Sequence, residues 1–142
     1  MKMRINWVYN GLVDITLDIN LDDTVAILLD DSGTGKTFMF KVLSSYCVIN
    51  QIRCEKFDYS DEHRNLEYFR NTIGDAEIVL MDNADLYMTQ ELLDYLKNSG
   101  KQVIISIKHI EKFTSCEGCG FYTVDYDGKS LKTVRENYGF AI

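Results

Sequence analysis

The sequence contains no proline, so glycine, asparagine and aspartate have to mark the turns. It also has no apolar run long enough to cross a membrane, and its longest runs, such as Val25 to Leu29, suit buried strands. The first residues lead into a polar, alternating segment and not into the apolar core of a signal peptide. From these absences we expect a cytoplasmic protein without a membrane span.

Neither half of the chain carries an excess of basic residues. The 15 lysines and arginines are outnumbered by 22 aspartates and glutamates, which gives a net charge of −7. Because such a surface gains little from neutralising phosphates, we expect no direct binding of nucleic acid. The composition is 46% hydrophobic and 26% charged, typical of a globular protein, and the length suits a single domain over residues 1–142.

Two of the four cysteines, Cys116 and Cys119, have the spacing of a pair of metal ligands. A structural zinc site needs a second pair or nearby histidines, and Cys47 and Cys54 are too far apart in the sequence for the usual second pair. We therefore expect reduced thiols, with zinc binding or redox chemistry at Cys116 and Cys119 as the open alternative.

Alternating apolar residues predict a β-hairpin at each end of the chain. The first turns at Asn10-Gly11, a favoured two-residue turn pair, between two matching apolar faces. The second runs from Phe121 to Arg135 and turns at Asp127-Gly128. We interpret the aromatic residues near the C-terminus as local core: Phe121, Tyr122, Tyr126, Tyr138 and Phe140.

Between the hairpins, strands alternate with helices, a pattern that predicts a parallel sheet with right-handed crossovers. An apolar strand from Thr24 to Leu29 leads through residues 30–37 into a helix that ends near Ile49. Further strands are expected at residues 54–59, 77–82 and 103–107. Two more helices are expected to begin at Ser60 and Thr89 and to end before Gly74 and Gly100.

Residues 30–37, Asp-Asp-Ser-Gly-Thr-Gly-Lys-Thr, match the P-loop (Walker A) pattern G-x-x-x-x-G-K-[ST] except that Asp30 stands at its first glycine. Glycines in such a loop let successive N–H groups point inward, and the helix that follows adds its positive end. Lys36 would reach the β- and γ-phosphates, and the Thr37 hydroxyl would ligate Mg²⁺. The predicted cofactor-binding residues are Ser32, Gly33, Thr34, Gly35, Lys36, Thr37 and Phe38.

A second motif, Glu77-Ile-Val-Leu-Met-Asp82, is an apolar strand whose final acid would hold Mg²⁺ beside Thr37. With the loop, it makes the chain from Thr24 to about Ile110 resemble the P-loop NTPase superfamily. A strand and a helix between the two motifs point to its additional-strand branch, which includes ABC-type and AAA-type ATPases. The resemblance implies a three-layer P-loop NTPase fold with a mainly parallel central sheet, antiparallel hairpins at the N- and C-terminal ends, and ATP and Mg²⁺ as cofactors.

In that branch a glutamate commonly follows the magnesium aspartate and orients the attacking water, whereas this chain has Asn83 there. Asp85 is the nearby carboxylate that could act instead, and capping of a turn is its alternative role. The resemblance also places a γ-phosphate sensor at the end of a neighbouring strand, near Lys108. The predicted catalytic residues are Lys36, Asp85, Ser106 and His109.

The resemblance implies an ATP-binding domain that hydrolyses the β–γ phosphoanhydride slowly or with the help of a partner. A nucleotide-gated binding module that does not hydrolyse ATP is the alternative, since Asn83 and Asp30 both depart from the family pattern. A small-molecule kinase is disfavoured, because the chain after Ile110 is short for a lid. The absence of an Asn-Lys-x-Asp element favours ATP over GTP, and the acidic, lidless chain predicts that a protein partner or a second copy completes the site.

Overall fold

The computed structural model describes residues 3–29, 35–109 and 115–136. These residues form one eight-stranded sheet and three α-helices, with short 3₁₀ turns at Tyr59–Asp61 and Ala84–Leu86. None of the helices in these three ranges is long and apolar enough to cross a membrane. In chain order the elements are β1 (Met3–Asn10), β2 (Asp14–Leu21), β3 (Val25–Leu29), α1 (Lys36–Ile49), β4 (Cys54–Phe57), α2 (Leu66–Ile73), β5 (Ile78–Met81), α3 (Gln90–Lys97), β6 (Gln102–Ile107), β7 (Gly120–Tyr126) and β8 (Ser130–Glu136).

All eight strands belong to a single mixed sheet in the order β1-β2-β8-β7-β3-β6-β5-β4. The hairpins β1–β2 and β7–β8 are antiparallel and form the two longest ladders, with eight and six residue pairs. The other neighbours pair in parallel. The C-terminal hairpin therefore lies in the middle of the sheet, where it joins the N-terminal hairpin to the alternating strands and helices.

The helices cover the two faces of the sheet unequally. Helix α1 packs on one face, against residues from both halves of the sheet. Helices α2 and α3 pack on the opposite face, mainly over β3, β5 and β6. On this second face the N-terminal hairpin has no helix from the described ranges over it, and its side chains there, such as Arg4, Val8 and Asn20, are exposed.

The expected three-layer P-loop NTPase fold, with a mainly parallel central sheet and antiparallel hairpins at the N- and C-terminal ends, is therefore wrong. The chain is a small mixed α/β domain in which the hairpins supply half of the strands. Because β8 pairs with β2 and β7 pairs with β3, the hairpins are built into one continuous sheet. Only the half from β3 to β4 lies between helices on both faces. Alternation in the sequence identifies each hairpin but does not say which strand it joins.

The N-terminal hairpin also differs from the predicted two-residue turn at Asn10-Gly11. Asn10 pairs with Asp14, which leaves residues 11–13 as a three-residue loop. The apolar faces set this register, because a shift by one residue would move every buried side chain to the open face. The facing apolar pairs are Ile5–Ile19, Trp7–Leu17 and Tyr9–Ile15.

The helix expected from Ser60 begins later. Ser60 lies in the first 3₁₀ turn, where its backbone N–H donates to the Asp58 carboxylate at 2.9 Å. Helix α2 starts at Leu66. Its N-cap is Asn65, whose side chain accepts a hydrogen bond from the Tyr68 N–H at 2.9 Å. The prediction for Thr89 is confirmed, since its hydroxyl oxygen caps α3. Several Asx and serine residues precede α2, and local sequence does not decide which of them becomes the cap.

Asp23, in the turn between β2 and β3, anchors the central hairpin. The Tyr122 hydroxyl donates to the Asp23 carboxylate at 2.7 Å and accepts from the Asp22 N–H at 2.8 Å. The Arg135 guanidinium donates to the same carboxylate at 3.0 Å. Burial and the hydrogen bond to Asp23 raise the pKa of Tyr122, which keeps its hydroxyl protonated at neutral pH. A Cβ atom at Gly120 would collide with the Asp23 side chain, so only glycine fits at this position of β7.

Replacing Leu17 by alanine should lower the free energy of unfolding by about 3 kcal/mol, because its side chain is fully buried beneath α1. Leu12→Ala is the matched control, and it should change the free energy by less than about 0.5 kcal/mol since Leu12 is fully exposed in the hairpin loop. Urea unfolding followed by circular dichroism measures both. Equal effects at the two positions would contradict the register described above.

Candidate functional site

The two motifs predicted from the sequence meet at one edge of the sheet. Strands β3, β6 and β5 are parallel neighbours in that order, so their carboxyl ends lie side by side. The end of β3 leads into residues 30–37, and the end of β5 is followed directly by Asp82. One strand, β6, separates the two motif strands. The described residues that follow β5 and β6 therefore lie at the same edge of the sheet.

The described part of the loop begins at Gly35, whose φ of 85° lies in the left-handed region. Asp30, together with the predicted cofactor-binding residues Ser32, Gly33 and Thr34, lies outside the described residues. Gly35 is also the N-cap of α1, and among the described residues no side chain caps this helix and no acid occupies its first turn. A 14-residue helix with such a start favours an anion at its N-terminus.

The first residue of α1, Lys36, is 8% exposed. A lysine is seldom this buried without partners for its ammonium group. Phe38 is half-buried, and its ring lies 5.5 Å from the ring of Tyr126. The first turn of α1 thus combines the buried Lys36 with an aromatic contact made by Phe38.

The Thr37 hydroxyl donates a hydrogen bond to the Asp82 carboxylate at 3.0 Å. This contact joins residues that are 45 positions apart, one at the start of α1 and one at the end of β5. A hydroxyl and a carboxylate are the oxygen donors that Mg²⁺ prefers, and this ion needs few protein ligands when phosphates supply others. The donor set at Thr37 and Asp82 therefore fits Mg²⁺.

Asp82 is held from several sides. Its side chain is buried, and its second carboxylate oxygen accepts a hydrogen bond from the Asn83 N–H at 3.1 Å. Its carbonyl oxygen accepts from the Tyr87 hydroxyl at 2.7 Å. Burial, with the nearby Asp82 charge, strongly raises the pKa of Tyr87, so this donor persists over the working pH range. Hydrogen bonds to both carboxylate oxygens and to the main-chain carbonyl oxygen therefore fix the orientation of Asp82.

Asp85 lies at the same edge, but its carboxylate accepts hydrogen bonds from two backbone N–H groups. One oxygen accepts from the Lys108 N–H at 2.7 Å and the other from the His109 N–H at 3.0 Å. These bonds tie the second 3₁₀ turn to the end of β6. They give Asp85 a turn-fixing role of the kind proposed from the sequence as the alternative to a catalytic base.

The remaining predicted residues, Ser106 and His109, lie in β6 and just beyond its end. Ser106 is buried near the end of β6, while the His109 side chain is exposed. Asn83 adopts a left-handed conformation with a φ of 52°, which asparagine tolerates better than most residues. Asn83 directly follows Asp82 and donates its backbone N–H to the Asp82 carboxylate, while the His109 N–H is bonded to Asp85.

From the sequence, we interpret the whole C-terminal aromatic group as local core and do not single out Tyr126. That interpretation is confirmed for Phe121 and Tyr122, which are buried. It is wrong for Tyr126, which is 39% exposed and lies against the loop, while Tyr138 and Phe140 lie outside the described residues. The available signal was its place at the end of a strand, next to a turn, where an aromatic side chain often stays partly exposed.

The cysteines lie elsewhere. Cys116 is buried and Cys119 half-buried near α3, and both are free thiols. Burial raises the pKa of Cys116, and burial together with Cys116 raises the pKa of Cys119 to about 12. Both thiols are therefore protonated at neutral pH, which disfavours the thiolate form that binds metals. Within the described ranges, no group of three or more histidine, cysteine or acidic side chains is placed to hold a metal ion.

Similarity to known proteins adds nothing to this geometry. A scan of the chain against protein-family models finds no match, and a search of the curated proteins also finds none.

Proposed function

We propose that this chain binds ATP with Mg²⁺ at Gly35, Lys36, Thr37 and Asp82, and hydrolyses it slowly or only with a partner's help. The observation that carries the proposal is the 3.0 Å hydrogen bond between Thr37 and Asp82. It brings together the last residue of the glycine-rich loop and the acid that ends an apolar strand. Parallel strands bring the two segments to one edge of the sheet, and the hydrogen bond places their two oxygen-bearing side chains in direct contact there.

The start of α1 supports phosphate binding by two independent effects. The helix dipole and the N–H groups of its first turn favour negative charge at this end. Lys36 adds a full positive charge at the first helical position. Phosphate groups carry the charge and the acceptor oxygens that both effects select, whereas a carboxylate would satisfy only part of the site.

Thr37 and Asp82 would hold the magnesium ion. When bound, Mg²⁺ supplies neutralisation of charge on the β- and γ-phosphates. The Thr37 hydroxyl, released from Asp82, and the Asp82 carboxylate would each offer an oxygen, and the Asn83 N–H would keep the carboxylate oriented. A cytoplasmic location, where ATP and Mg²⁺ are abundant, belongs to the same proposal.

Hydrolysis is expected to be slow because the described site contains no well-placed base. Asn83 can orient a water molecule but cannot take its proton. Asp85 holds two backbone N–H groups at the end of β6. Rate enhancement would then depend on Lys36 and on groups from a protein partner or a second copy. The same observations favour the alternative function, a nucleotide-gated binding module that does not hydrolyse ATP.

Lys36→Ala should weaken the binding of Mg-ATP at least about tenfold, because it removes the charge that faces the phosphates. Isothermal titration calorimetry measures the affinity, which we expect to be micromolar in order of magnitude for the unaltered protein. Lys41→Ala is the matched control, since Lys41 is exposed on the same helix. Undiminished binding by Lys36→Ala would refute the assignment of the loop.

Asp82→Asn should abolish the gain in ATP affinity that Mg²⁺ provides, because a neutral amide is a poor magnesium ligand. Titrations of ATP in excess Mg²⁺ and in excess EDTA give this gain as a ratio of affinities. Asp75→Asn removes an exposed acid far from the loop and should leave the ratio unchanged. If Asp82→Asn retained the full ratio, Asp82 would have no part in holding the metal.

Asn83→Glu should raise the single-turnover rate of ATP hydrolysis about tenfold or more, because it places a proton acceptor beside Asp82. Asn83→Gln is the control of equal side-chain length without a charge. A rate equal to that of buffer in the unaltered protein, with no rise in Asn83→Glu, would reject the ATPase and leave the non-hydrolysing binding module.

A further inference from the structure

Tyr126 forms an aromatic wall directly beside the loop. Its Cβ lies 3.2 Å from where a Cβ atom at Gly35 would be, and its ring contacts that of Phe38 at 5.5 Å with an interplanar angle of 53°. Even so, 39% of Tyr126 is exposed. One part of the ring therefore packs against the start of α1, and another part offers an apolar surface to a ligand.

The sheet places Tyr126 at the edge where the proposed phosphate site lies. Strand β7 is parallel to β3, with Leu28 opposite Tyr122, so the last residues of β7 extend past the end of β3. Tyr126 shares the face of Tyr122 and Val124, both of which pack with α1. A ligand held at the first turn of α1 thus has Tyr126 as its neighbour on the β7 side.

The turn after Tyr126 holds this side chain in place. The Asp127 carboxylate accepts hydrogen bonds from the Lys129 and Ser130 N–H groups, each at 2.8 Å. These bonds lower the pKa of Asp127, so the turn keeps its charged acceptor at neutral pH. Tyr126 also pairs with the fully buried Leu131 across the hairpin. Its backbone is consequently fixed before a ligand arrives.

The charges around Tyr126 indicate a neutral ligand group. Asp125 and Asp127 are exposed acids on either side of it, and they are balanced by Lys132, which pairs with Asp125 across the hairpin, and by Lys129 in the turn. A second phosphate group would find no net positive charge here. A flat, uncharged heterocycle would gain stacking on the ring, which is independent of charge, and its amino groups would be compatible with nearby carboxylates.

We propose that Tyr126, supported by Phe38, is the stacking surface for the purine base of a nucleotide whose phosphates bind at Lys36 and Thr37. This inference rests on the proposed function and adds to it the residue that distinguishes a nucleotide from a bare polyphosphate. Phe38 holds the ring from the side of α1. The phosphates and the base then lie on adjacent elements, α1 and β7.

The test compares Mg-ATP with magnesium tripolyphosphate, which has the phosphates but no base, by calorimetric titration. Tyr126→Ala should weaken ATP binding about tenfold and leave tripolyphosphate binding unchanged. Tyr126→Phe keeps the ring and should retain ATP affinity within about twofold. Tyr59→Ala, an exposed tyrosine in the first 3₁₀ turn, is the control and should affect neither ligand.

The outcomes separate this inference from the proposal on which it rests. If Tyr126→Ala weakened both ligands equally, Tyr126 would only support the loop, and the stacking role would be refuted. If it weakened neither, the base would bind elsewhere, while Lys36-dependent tripolyphosphate binding would still uphold the phosphate site. If the unaltered protein bound neither ligand, both the proposed function and the stacking role would fall.

Discussion

Strand β3 is buried on both faces and paired on both sides, and the position of everything around the candidate site follows from that constraint. Val25 and Ile27 pack beneath α2 and α3, while Ala26 and Leu28 pack beneath α1. Strands β6 and β7 pair with β3 on either side. A strand enclosed in this way meets solvent only at its ends. The loop that follows it must therefore emerge at the edge where β6 and β7 also end.

Helix α1 runs back over β3, and this places Thr37 next to Asp82 at that edge. Helix α1 has to start at the end of β3 in order to cover the face that carries Ala26 and Leu28, so its first turn lies beside the residue that ends β5. The buried Asp82 carboxylate would be costly without partners, and the Thr37 hydroxyl and the Asn83 N–H supply them. A cation bound between Thr37 and Asp82 would replace a hydrogen bond that already orients both side chains.

In this chain the local sequence predicts the individual strands and helices better than it predicts how the strands pair in the sheet. Periods of two and 3.6 residues record which side chains are buried, so the presence of both hairpins, β3, α1 and the cap at Thr89 was predicted correctly, whereas the turn of the first hairpin was not. The fold class was not, because pairing of β2 with β8 joins residues more than 100 positions apart and leaves no local trace. At the site, the loop and Asp82 carry motifs. The exposure of Tyr126 depends on how close Gly35 lies to it, and this distance is set by the fold and not by the local sequence.

The proposed nucleotide site would suit binding better than catalysis. The groups proposed to hold the nucleotide are on rigid elements, with Lys36 at the start of a 14-residue helix and Asp82 buried and doubly hydrogen-bonded. Contacts that are equally strong with a bound nucleotide and with its transition state would not raise a turnover rate. Acceleration needs a group that acts more strongly in the transition state. Asn83 lacks the charge for this role, and Asp85 is held by the backbone of Lys108 and His109. A faster reaction would thus require groups from outside the described part of the chain.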